Sequence, residues 1–134
     1  MNSSPELPLS IKVRTDAGDF LVEARAVVIG DDVLVYIWGG EKPHIGAVAA
    51  VQPRPSLADP SKTSATASVL TYPGHKEDEV VKYVGEALSA ACNANVVVTA
   101  GIHWDNLGAS DIETIRFRIG EITEKLVTGL QGAP

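Results

Sequence analysis

The stretch TSATASVLTYPGHKEDEVVKYVGEALSAACNANVVVTA, residues 63–100, decides the fold. Thr63 to Thr71 has strand character. From Glu77 onward, apolar residues recur at Val80, Val81, Val84, Ala87, Leu88 and Ala91, the stripe of an amphipathic helix. Asn93-Ala94-Asn95 ends that helix, and Val96 to Ala100 is a short buried strand. A strand, a helix and a strand in this order predict a right-handed β-α-β crossover. The crossover makes the two strands parallel, so their C-terminal ends share one edge of the sheet.

Working outward from this unit, the preceding residues read as further strands. Ile11-Lys12-Val13-Arg14 alternates with period two. Asp16-Ala17-Gly18 forms a turn, after which Phe20, Val22, Ala24, Ala26 and Val28 line one face of a longer strand. Gly30-Asp31-Asp32 is a second turn. Val33 to Trp38 is almost continuously apolar, as in a central strand buried on both faces. Ile45 to Val51 is another short apolar run. Residues 52–62 are expected to be a Pro-rich loop, because Pro53, Pro55 and Pro60 interrupt regular structure.

Beyond residue 100, Ser110 with Glu113 predicts a capping box. Ile112, Ile115, Ile119, Ile122 and Leu126 follow at alternating three- and four-residue steps. That stripe either covers the sheet or pairs across a dimer axis, and covering the sheet is the preferred reading. The order is β-β-β-β-β-α-β-α. It predicts one α+β domain over residues 1–134, with a core from about residue 8 to about residue 130. Its mixed, mostly antiparallel sheet has about six strands, with two helices packed on it.

The chain has 134 residues, with 11 Lys+Arg against 17 Asp+Glu and a formal net charge of -6. No cluster of basic residues exists to neutralise a phosphate backbone or an anionic membrane, so neither is an expected partner. The single cysteine, Cys92, permits neither an internal disulfide nor a multi-Cys metal cluster. Residues 1–10 do not read as a signal peptide, and no apolar run has the length of a membrane span, so a cytoplasmic protein is expected.

The three histidines each follow a predicted strand, beside glycine or proline: His44, His75 and His103. Loops at strand ends carry binding residues because the sheet holds their bases. The crossover brings His75 and His103 to one edge, whereas pattern alone leaves the direction of the strand before His44 open. Together with Asp105, the histidines have the residue types of a divalent-metal site. None has short-range ligand spacing to another. Nucleophile-elbow, Walker and dinucleotide fingerprints are absent. The residues alone therefore reach a ligand site rich in His, Trp and Gly, without a nucleophile paired to a base.

Three motifs add to this: Gly39-Gly40-Glu41-Lys42-Pro43-His44-Ile45-Gly46-Ala47-Val48-Ala49, Pro73-Gly74-His75-Lys76-Glu77 and Gly101-Ile102-His103-Trp104-Asp105-Asn106. In this order they resemble the LpdD-like family, the D subunits that accompany UbiD-type aromatic-acid decarboxylases. The resemblance spans Val33 to Leu126. It implies a fold like the proteasome assembly chaperones, a homodimer, and a non-catalytic role as a chaperone. That role is to bind reduced prenylated FMN and deliver it to the decarboxylase. It further implies cofactor-binding positions at Gly39, Gly40, His44, Gly46, His75, Lys76, His103, Asp105 and Asn106. Trp104 adds an aromatic surface beside them, and Lys42 and Lys76 are the cations expected near a phosphate. A metal-dependent enzyme using His44, His75 and His103, and a pure assembly factor, are the alternatives.

Overall fold

The computed structural model describes residues 9–73 and 77–132. The expected order of elements is found: β1 Ser10–Arg14, β2 Val22–Ile29, β3 Asp32–Gly40, β4 Ala47–Pro55, β5 Thr63–Thr71, α1 Asp78–Cys92, β6 Val96–His103 and α2 Ala109–Gln131. They form one six-stranded sheet in the order β1-β2-β3-β6-β4-β5. β6 is parallel to β3 and antiparallel to β4, while β4 is antiparallel to β5. Hence β3, β5 and β6 all run the same way. Their C-terminal ends share one edge, and the direction of the strand before His44 is thereby fixed.

Both helices lie on one face of the sheet. α1 covers β4, β5 and β6, α2 covers β1 and β2, and the helices touch each other. Alternation sets the core: Val33, Val35 and Ile37 of β3, Ala47, Ala49 and Val51 of β4, and Val96, Val98 and Ala100 of β6 point at the helices. Leu88 of α1 and Ile122 and Leu126 of α2 close that layer and are fully buried. Each contributes about 1.5–3 kcal/mol by leaving water. Small residues allow close approach, since a Cβ at Gly85 of α1 would meet the Val51 side chain. β3 is thus buried on one face only. Its other face, Leu34, Tyr36 and Trp38, is half-buried, with the Tyr36 and Trp38 rings stacked at 5.7 Å.

Three further sequence expectations need correction. Pro53 and Pro55 belong to β4, so the Pro-rich loop shrinks to residues 56–62. The bonds from Ser56 N to Lys62 O and from Tyr72 N to Gly46 O, each 2.8 Å, mark the pairs hydrogen-bonded across the β4–β5 hairpin. By alternation, residues 53 and 55 turn their amide positions away from β5. On that side β6 stops opposite Val51, so the prolines forfeit no bond.

The second correction concerns the start of α2, which is capped at Gly108 rather than Ser110. The Asp111 carboxylate accepts the Gly108 N–H at 2.9 Å, and Glu113 instead pairs with Arg116. Phe20 is the third. It lies outside β2 in left-handed backbone, φ 58°, and sets its ring edge-on to Trp104 at 5.2 Å. Among the described residues, no helix is long and apolar enough to cross a membrane.

Candidate functional site

β6 lies between β3 and β4, so the chain from Gly40 to Gly46 must cross over the C-terminal end of β6. Glycines make this strap possible. Gly40 begins it with φ 88°, and a Cβ there would strike the backbone of His103. At Gly101, a Cβ would collide with the carbonyl of His44 as the strap passes overhead. The strap is tied down by Glu41 N donating to His103 O at 2.8 Å and Gly46 N donating to Ala100 O at 2.9 Å.

His44 fastens the strap to the start of α1. Its Nδ1 lies 2.8 Å from Lys42 O, a pure acceptor, so Nδ1 carries a proton. Its Nε2 lies 2.8 Å from Glu77 Oε1. The two groups form an ion pair whenever the ring is protonated. Glu77 Oε1 also accepts the N–H of Ile102 at 3.3 Å. That amide faces the side where β4 has not yet begun, so the carboxylate replaces a missing strand partner. Glu77 is only 8% exposed, and its carboxylate occupies the space that Gly46 leaves by lacking a side chain.

A second pair lies further out. His103 Nε2 is 2.8 Å from Asp105 Oδ1. The His103 hydrogen bond, and after it the charge of Lys42, hold the Asp105 carboxyl below the usual carboxylate range. Asp105 N donates to Glu41 at 3.4 Å, linking this loop back to the strap. Asn106 is exposed, in left-handed backbone with φ 58° that turns the chain toward α2.

Behind these loops, between the first turns of α1 and the first half of α2, opens a cavity of about 800 Å³. Ile102, His103 and Trp104 form its floor. Val80 and Tyr83 come from α1, and Ile112, Ile115, Arg116 and Ile119 from α2. Among the described residues its wall carries no Ser, Thr, Cys or Lys. It also carries Glu77 and Glu79. Such a concave apolar space with a few placed polar groups is the usual form of a small-molecule site. A second hollow, about 340 Å³, is bounded by Trp38, Gly39, Gly40 and Pro43.

The expected site residues therefore separate. His103 and Trp104 line the large cavity, and Gly39 and Gly40 the smaller hollow. His44, Gly46 and Lys42 build the strap, while Asp105 and Asn106 lie beside it. His75 and Lys76 lie outside the described residues. The metal reading gains no support: His44 and His103 turn their Nε2 atoms to different carboxylates, and no group of three possible ligands meets among the described residues.

Sequence reasoning missed Glu77, which it placed only at the start of the α1 stripe, and Gly101, whose motif was noticed without its steric role. It also missed Tyr83 and Arg116. Their signal was present: Val80 and Tyr83, and Ile112, Ile115, Arg116 and Ile119, share helix faces, but such stripes read as core.

Comparison with known proteins places the chain in a family. Residues 16–131 match the family model described as the prenylated flavin chaperone LpdD-like domain. The chain is 23% identical over 122 residues to Protein LpdD of Lactiplantibacillus plantarum, covering 90% of this chain and 85% of that protein. Its fold resembles a chain of a chaperone complex for yeast 20S proteasome assembly, with TM-score 0.56 and 14% identity, covering 95% of this chain and 98% of that one. That likeness establishes the proteasome-assembly-chaperone type of fold. With the family model spanning nearly every strand and both helices, the chain belongs to the prenylated flavin chaperone LpdD-like family.

Proposed function

We propose that this chain is a non-catalytic carrier that binds reduced prenylated FMN and hands it to a UbiD-type aromatic-acid decarboxylase. The observation that carries the reading is the cavity of about 800 Å³ between α1 and α2. Its size suits a flavin, since ligand pockets span roughly 300–1,000 Å³. Trp104 and Tyr83 offer aromatic surface, isoleucines exclude water, and Arg116 supplies positive charge. When bound, the reduced ring carries the cofactor's redox chemistry, and this chain's residues only hold and shield it. A wall without Ser, Thr, Cys or Lys, among the described residues, suits carriage rather than turnover.

The family membership supports the same reading. The proposed setting is cytoplasmic, with a second copy of the chain and the decarboxylase as partners. The sheet face opposite the helices supports a protein partner, because Leu70 is 78% exposed on that face, which also carries the Tyr36–Trp38 stack three strands away.

Anaerobic mixing with reduced prenylated FMN followed by gel filtration tests the proposal. The cofactor should travel with the chain, and the loaded chain should restore activity to cofactor-free decarboxylase. Flavin that elutes free of the chain would overturn the carrier role. Co-elution with the decarboxylase in that case would favour a pure assembly factor.

A further inference from the structure

A flavin mononucleotide brings a dianionic phosphate to a chain whose net charge is -6. The cavity wall itself carries two carboxylates, Glu77 and Glu79, at the start of α1. Against them stands Arg116 of α2, the one Lys or Arg on the wall among the described residues. Its position suits exchange. The side chain is 68% exposed and donates through Nη1 to Glu113 at 3.2 Å, an exposed pair one helical turn apart. Such surface pairs are worth little and can open for a stronger anion. A guanidinium has five N–H donors in a planar fork that fits phosphate oxygens, so Nε and Nη2 are available alongside Nη1.

We propose that Arg116 recognises the terminal phosphate of the bound flavin and makes the cavity select phosphorylated over dephosphorylated flavins. This rests on the flavin-carrier reading and adds an orientation to it. The phosphate lies at the α2 side, toward Arg116 and away from Glu77 and Glu79. The ring system then lies over Ile102 and Trp104. Lys42, expected from sequence to meet the phosphate, is on the exposed strap and does not line this cavity.

The test is an anaerobic titration of the full chain with reduced prenylated FMN and, separately, with the same flavin after removal of its phosphate. Wild type should bind the phosphorylated form more tightly. Arg116→Ala should weaken that form about tenfold or more, the effect of losing a charge-assisted contact, and leave the dephosphorylated form unchanged. Arg116→Lys should recover part of the loss, because lysine keeps the charge without the fork.

Equal losses for both ligands in Arg116→Ala would overturn the inference by exposing a merely structural role. Selective loss in Lys76→Ala with none in Arg116→Ala would overturn it by placing the phosphate elsewhere. Wild type that binds both forms equally overturns the phosphate inference alone. Wild type that binds neither overturns the carrier reading and this inference with it.

Discussion

The Nε2 of His44 lies 2.8 Å from Oε1 of Glu77, joining the strap that crosses β6 to the first turn of α1. This contact couples the two elements that bound the site. Glu77 lines the cavity on one side and holds the Ile102 amide on the other, so His44 acts on the cavity floor without lining it.

Removing His44 should therefore loosen the floor. His44→Ala leaves the buried Glu77 carboxyl without its ring partner, which costs about 1–3 kcal/mol. Glu77→Gln should cost less, because the amide oxygen still accepts the Ile102 N–H. Urea unfolding of both variants checks the order. A His44→Ala protein as stable as wild type would show that the strap is held by its backbone bonds alone.

Two glycine substitutions should have opposite signs. A methyl group at Gly101 collides with the His44 carbonyl, and backbone cannot yield as a flexible side chain does. Gly101→Ala should lose about 3 kcal/mol or more, at or beyond the usual range for overpacking. Gly120 lies inside α2 with open space where its Cβ would be. Gly120→Ala should gain about 0.5–1 kcal/mol from helix propensity. Thermal unfolding of the pair measures both.

Acid stability should depend on Asp16. Hydrogen bonding and charge from Lys125 lower its carboxyl below the ordinary 3.8, so the unfolded chain takes up a proton there more readily than the folded one. The contribution is present above the unfolded value and is lost as pH falls through the lower folded value. Asp16→Asn should lower the urea midpoint slightly near neutral pH, leave it unchanged at low pH where the carboxyl is already protonated, and so flatten the acid-side fall. Because Asp16 is exposed, the effect should be small.

Filling the cavity should abolish binding while sparing the fold. Ile115 is half-buried on the cavity wall, where Ile115→Trp can project into open space. Thermal unfolding should stay close to wild type, and affinity for the reduced flavin should fall by about tenfold or more, the cost of more than 1.4 kcal/mol in lost contact. Unchanged affinity would mean that the ligand lies elsewhere.

The fold was legible in the sequence because its signals are local. The periodicity of α1, the β-branched run at Val96–Val98 and the turns at Gly30 and Gly18 each declare an element without help from the rest. The insertion of β6 between β3 and β4 was not legible, since strand order depends on pairings distant in sequence. Pro53 and Pro55 misled for the same reason: a proline is harmless where its neighbour strand has ended, and only the sheet order shows that.

At the site, His103 and Trp104 could be selected from their loop. Glu77, Tyr83 and Arg116 could not, because the helix stripes that line a cavity and those that fill a core look alike until the helices are placed. In α2 the same stripe does both, with Ile112 and Ile115 on the cavity and Ile122 and Leu126 in the core.

The central claim is that the space between α1 and α2 is where the flavin sits. Amide and indole chemical-shift mapping of the isotopically labelled chain, titrated anaerobically with reduced prenylated FMN, tests it most directly. Saturable shifts are expected at Tyr83, Ile102, Trp104 (including its indole N–H), Ile115 and Arg116, with little change at Trp38 and Gly39. Shifts confined to the smaller hollow around Trp38, Gly39 and Gly40, or none anywhere, would contradict it.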